Sequence, residues 1–152
     1  MAIRTLVREK MNKLEVQIEK SDTNKVFFGI SREDPKTSES YTFDMDKNPG
    51  RIIELFRESV IRSDNGKETY NHIEINVNSD KNLITYASRS RADDNQALME
   101  IHRAYTLVKM YRNKLQSDKD KMKLYPEVLE YVCKIVAFSD EVFRNKYRIV
   151  RR

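Results

Sequence analysis

The sequence predicts an α+β fold, an antiparallel sheet of about five strands packed on one face by C-terminal helices. Three observations carry that reading. Strict apolar–polar alternation marks several stretches of the first half, most clearly "YNHIEINVNSDKNLITYASRSR" at 70–91. From Asp93 onward the apolar residues recur instead at spacings of three and four. The resulting order of strands, helix, strands and then helices favours a meandering sheet covered on one side, and hairpin connections favour antiparallel pairing.

Each element has its own local reason. Ile3, Val7 and Met11 fall at helical spacing and predict a short helix over 2–11; Leu14, Val16 and Ile18 alternate and predict a strand over 13–20. "SDTNK" is a turn cluster, and the β-branched and aromatic "VFFGISRE" completes a hairpin. "REDPKTSES" reads as a polar loop around Pro35, followed by a strand in "SYTFDMD" with Tyr41, Phe43 and Met45 on one side. "KNPGRIIELFRESVIRSDNG" predicts a helix, with Asn48 as N-cap, Pro49 at its first position and Gly66 as its breaker. Its apolar stripe is Ile52, Leu55, Phe56, Val60 and Ile61.

In the alternating stretch, Ile73, Ile75 and Val77 point one way while His72, Glu74 and Asn76 point the other. A turn at "NSDK" returns the chain, with Val77 expected opposite Asn82, Ile75 opposite Ile84 and Ile73 opposite Tyr86. Leu98, Ile101, Tyr105, Val108 and Leu115 then define a helix capped by Asp93 or Asp94. "SDKDKMK" reads as a charged link. Pro126 opens a further helix with Val128, Val132, Ile135 and Val136 inward, and Ser139 caps a final turn or short helix. The tail "RNKYRIVRR" has apolar spacing suited to one more strand at a sheet edge.

A length of 152 residues suits one domain, and three glycines, three prolines and no internal repeat leave no obvious linker. We read a single domain over 1–152, with mainly strands and one helix in 1–92 and a basic helical part and tail in 93–152. No run of about 18 apolar residues is present. The first twenty residues are charged throughout and carry no secretory h-region. The expectation is a cytoplasmic protein with no membrane association. Cys133 is the one cysteine, which rules out an internal disulfide, and its apolar run marks it as a buried, inert thiol.

Charge is unevenly distributed within the formal +5. Residues 1–100 hold 16 Lys+Arg against 18 Asp+Glu, whereas 101–152 hold 13 against 6. A basic C-terminal third suits an acidic partner, and the same lysines also solubilise helices. The residues that would contact nucleic acid are Lys109, Arg112, Lys114, Lys119, Lys121 and Lys123, continued in the tail by Arg144, Lys146, Arg148, Arg151 and Arg152.

Signatures of catalysis are sparse. One cysteine and two histidines in no ligand spacing predict no metal site and no cofactor. Asp44 and Asp46, two apart on a strand, read as solvated carboxylates rather than Mg²⁺ ligands. "NPGR" is a glycine turn before the predicted helix and matches no phosphate-loop pattern, and G-x-S-x-G is absent. What remains is a sheet-face set of His72, Glu74, Thr85 and Arg89. The residue types suit acid–base chemistry on a phosphodiester, and equally the wet side of a half-covered sheet. His102 reads as a boundary or core histidine of its helix.

The sequence thus points first to a non-catalytic binding module that associates with nucleic acid through its basic C-terminal third. The alternative is an inhibitor, adaptor or immunity-like factor that docks an acidic protein surface, and a His72-centred nuclease stands third.

Overall fold

Alternation and tight turns build most of the molecule. In the computed structural model, residues 2–33, 36–46, 49–89, 92–142, 144 and 146–152 are described, apart from the side chains at 61, 141 and 142. Seven strands come first: β1 (Ile3–Met11), β2 (Leu14–Ser21), β3 (Lys25–Glu33), β4 (Lys36–Asp44), β5 (Arg51–Arg62), β6 (Glu68–Asn78) and β7 (Leu83–Ser88). Three helices follow, α1 (Asp94–Gln116), α2 (Lys119–Leu124) and α3 (Pro126–Val142), and then β8 (Arg148–Arg151). The eight strands form one sheet in sequence order, antiparallel throughout except that β8 lies parallel to β7. That parallel pair is possible because three helices supply the crossover between them.

The fold class is as expected, and the strand count is not: eight strands stand where about five were predicted. Two predicted helices are strands, for physical reasons visible in the register. Ile3, Val7 and Met11 repeat every four residues, a spacing shared by the helical period and by strand alternation. Val7 and Met11 line the core face of β1. In β5, Thr42 pairs with Glu54 and Phe43 with Ile52, so Ile53 is an extra, bulged residue. The bulge lets Ile52 and Leu55 both point inward at a spacing of three, which imitates a helix. Phe56 is carried to the opposite face, and the proposed cap Asn48 lies outside the described residues.

Smaller departures follow the same logic. The loop expected over 32–40 is strand on both sides, with Glu33 paired to Lys36; Asp34 and Pro35 lie outside the described residues. The β6–β7 hairpin pairs Val77 with Ile84, Ile75 with Tyr86 and Ile73 with Ser88, two residues from the expected register. A slip of two preserves the face of every side chain, so the isoleucines remain buried. The charged link contains α2, capped by the Asp118 carboxylate, which accepts from Asp120 N and Lys121 N. Ser139 lies within α3 and donates to Val136 O at 2.7 Å instead of capping a new turn.

Asparagine does at the hairpins what glycine often does. Asn12, Asn24 and Asn82 take φ of 57°, 58° and 47°, the left-handed region this side chain tolerates best after glycine. Hence a chain with three glycines still makes a seven-strand meander.

Helix α1 crosses the sheet strand by strand. Asp93 caps it in a reciprocal box with Gln96, and Asp94 accepts from Tyr86 on β7 at 2.8 Å. Further along, Arg103 meets Glu39 on β4, Tyr105 packs edge-on against Phe43, and Tyr111 packs edge-on against Phe28 on β3. Its core face is Ala97, Ile101, Ala104, Tyr105, Val108, Tyr111 and Leu115. Val128, Val132 and Ile135 of α3 bury beside it. About 35 Å of helix, at 1.5 Å per residue, matches roughly seven strand spacings of about 4.8 Å, so α1 reaches from the β7–β8 edge towards the β1 edge. The opposite sheet face is uncovered by any described element.

Candidate functional site

The expected basic residues fall into two groups. Lys109 and Lys114 project from the second half of α1, and Lys119 and Lys123 from α2; all four are exposed. None lies within ion-pair distance of a carboxylate among the described residues. Arg112 lies among them, half-buried, with its guanidinium donating to Asn113 Oδ1 at 3.1 and 3.3 Å. Lys121 turns the other way: its Nζ sits 3.1 Å from Glu9 Oε2 and fastens α2 to β1.

The tail residues are placed at the far end. Arg148 and Arg151 belong to β8 on the opposite edge of the sheet, with Arg144, Lys146 and Arg152 close in sequence. Arg151 is engaged with the chain, donating to Ala92 O at 2.9 Å and Ser88 O at 3.3 Å. Arg144, Lys146, Arg148 and Arg152 are exposed. The expected single basic surface is therefore two, separated by the width of the sheet.

His72, Glu74, Thr85 and Arg89 lie on the uncovered face. His72 Nε2 is 3.3 Å from Glu74 Oε1, and the imidazole packs edge-on against Phe56 with ring centroids 5.1 Å apart. His72 Nδ1 is buried and has no hydrogen-bond partner among the described residues. Arg89 shares a small recess with Phe56, Glu58, Tyr70 and His72. Thr85 stands opposite Asn76, one outward position beyond Glu74. One ring nitrogen thus faces Glu74 and the other is buried.

The other residues weighed from sequence are accounted for locally. Asp44 pairs with Arg51 at 3.3 Å and accepts from Asp46 N, while Asp46 accepts from Asn24 Nδ2 at 2.8 Å. The glycine turn at Gly50 opens a strand, so it offers no helix N-terminus to an anion. Cys133 is half-buried, with Gln116 Nε2 3.9 Å from its sulfur, rather than fully in the core. His102 is exposed on α1. Among the described residues no group of three His, Cys, Asp or Glu side chains converges as metal ligands, and no helix is long and apolar enough to cross a membrane.

One cluster is absent from the residues that the sequence singles out. Glu39, 3% exposed, receives Arg103 Nε and Nη2, both at 2.9 Å, and lies 3.1 Å from Arg57 Nε. Arg57 Nη1 in turn donates to Glu100 at 2.6 Å. Burial opposes the charge on Arg103 and is outweighed by the Glu39 carboxylate, so its pKa rises. Burial and the same carboxylate push the Tyr41 phenol well above the ordinary tyrosine range. Beside this balanced cluster lies a cleft of about 340 Å³ between β5, β6, β7 and the first turns of α1. Its sequence signal is the inward alternation of Arg57 and Ser59, which the helical pattern of that segment hides.

Comparison with known proteins adds no relative: no family model matches the chain, and neither a curated protein nor a solved structure matches it.

Proposed function

We propose that this protein is a non-catalytic binding module that holds nucleic acid through the basic surface of its C-terminal third. The observation that supports it is the set of exposed cations Lys109, Lys114, Lys119 and Lys123, which have no carboxylate partner among the described residues. From His102 to Ser117 the chain contains no Asp or Glu. Unneutralised cations on two successive helices present a field that condensed counterions or phosphates satisfy.

The test is fluorescence anisotropy with labelled single-stranded DNA, duplex DNA and RNA across a salt series. It compares the unaltered chain with a helix-set variant (Lys109, Lys114, Lys119 and Lys123 to Gln) and a tail-set variant (Arg144, Lys146, Arg148 and Arg152 to Gln). Binding should fall steeply with salt. The helix-set variant should flatten the slope by about 0.7–0.9 for each phosphate that it no longer neutralises. Absence of binding at low salt overturns the proposal.

A second reading, a factor that docks an acidic protein, draws on β8. This strand ends the sheet and carries Arg148 and Arg151, with Val150 38% exposed between them. An acidic partner strand would add there by backbone pairing and charge. A stoichiometric, partner-specific complex that the tail-set variant abolishes marks this reading.

A further inference from the structure

We infer that the cleft between the β5–β7 floor and the start of α1 is a pocket for one unpaired nucleobase of a bound strand; this rests on the nucleic-acid reading. The inner face of the sheet is apolar wherever helices cover it, as at Ile52, Leu55, Ile75 and Val77. At one end it turns polar on three adjacent strands, through Arg57 and Ser59 on β5, Asn71 on β6 and Ser88 on β7. Ser59 and Asn71 are directly paired across the sheet, which places their side chains together on the cleft floor.

The chemistry of the lining selects the class of ligand. Arg57 is held between Glu39 and Glu100, so its charge is compensated and the cleft has no strong pull on a free anion. The Asn71 amide presents donor and acceptor side by side, and Ser59 offers either role. Ile73 and Ala92 supply apolar wall, and Met99, 67% exposed, stands at the rim as a polarizable surface. A flat, uncharged heterocycle with a mixed donor–acceptor edge satisfies all of these at once. The cleft volume is in the range of small-ligand sites.

Position links the cleft to the cations. Met99 and Lys109 are ten residues apart on one helix, about 15 Å along its axis. Exposed Arg103 and Thr106 lie between them. A strand whose phosphates follow Lys109 and Lys114 can turn a base into the cleft at the other end of the same helix. The phosphates give affinity, and the cleft requires that a base be present and unpaired.

The test uses two labelled single strands of equal length, about twelve nucleotides to cover a site of the usual size. One carries adenine throughout and the other is abasic with the same phosphates. The unaltered chain should bind the adenine strand at least about fivefold more tightly than the abasic one, the low end of one stacked base. Asn71→Ala and Met99→Ala should each reduce that ratio to below about twofold while leaving the salt dependence intact. Met99 is a surface residue, so its variant folds, which circular dichroism verifies. Equal binding of both strands by the unaltered chain overturns the pocket and leaves the phosphate reading standing. A preference that survives both variants places the base elsewhere and also overturns it. Binding of neither strand overturns the pocket, and absence of binding to duplex DNA and RNA as well overturns the phosphate reading.

Discussion

Replacing Gly50 with alanine tests how the helical layer is seated on the sheet. Gly50 has φ of +99°, and a Cβ there would lie 2.5 Å from Ile135 Cα and 2.6 Å from Lys134 O. Both are backbone atoms of α3, so no side-chain rotation relieves the contact. The same residue accepts from the Tyr105 hydroxyl at 3.1 Å, and that hydroxyl accepts from Ile52 N at 3.0 Å. Alanine therefore adds left-handed strain of about 1–2 kcal/mol and an overpacking term of about 1–3 kcal/mol. A total near 3 kcal/mol is a large part of the stability of a typical domain. At about 2–4 °C per kcal/mol for a chain of this size, the melting temperature should fall by roughly 6–12 °C. The other two glycines are controls. Gly66 has φ of +81° and open space around its Cβ position, so alanine should cost only the strain, about 2–8 °C. Gly29 would place its Cβ 3.6 Å from Gln17 O, an ordinary contact, and should be near neutral. Thermal unfolding followed by circular dichroism ranks the three. If Gly50→Ala melts with Gly29→Ala, the close seat of α3 on the β4–β5 turn is wrong.

Two further outcomes follow from the buried phenols. Tyr105→Phe removes one hydroxyl that serves both Gly50 O and Ile52 N, and should destabilise by about 2 kcal/mol in urea unfolding; an unchanged midpoint refutes that bridge. Burial pushes the phenols of Tyr41, Tyr105 and Tyr111 above the ordinary tyrosine value near 10. A pKa raised in the folded state gives stability that is complete below the unfolded value and lost as pH rises beyond it. Stability should thus decline from about pH 10 upward, with part of the phenolate absorbance appearing together with loss of the far-ultraviolet signal. Reversible ionisation of every tyrosine near pH 10 without unfolding would contradict it.

The helical half is legible in sequence because its signals are independent of one another. Asp93 as cap, the three-and-four spacing from Leu98 to Leu115 and Pro126 at a helix start are three different kinds of evidence. The strand half depends on periodicity alone, and periodicity fails where a bulge or a four-residue repeat intervenes. Ile53 adds one residue to β5 and turns a period of two into an apparent period of three. In β1 the polar inward residue Glu9 hides the alternation between Val7 and Met11, because its partner Lys121 lies more than a hundred residues away. Asparagine turns weaken the remaining signal, since glycine-based hairpin cues are scarce in this chain.

The same ambiguity decides which functional residues are visible. His72, Glu74 and Arg89 stand out because the phase of β6 and β7 is plain in the sequence, and a register slip of two leaves faces unchanged. Arg57 and Ser59 fall in a segment with an apparent helical period, so their meeting with Asn71 on the adjacent strand has no expression in the sequence pattern. Charge behaves differently again. A count over residues 101–152 treats thirteen cations as one field, but the chain folds back between them. Three helices carry the polypeptide away from β7 and return it to the same edge, so β8 brings four tail cations to the end of the sheet opposite α2. Lys121 is neutralised by Glu9, and the Arg151 guanidinium keeps its charge but is tied to the chain through backbone carbonyls. Affinity for a polyanion in this protein accordingly depends on which edge is altered: neutralising the α1–α2 set and neutralising the tail set should change the salt slope by unequal amounts. A response that depended only on the number of charges removed would mean that composition, and not placement, governs the field.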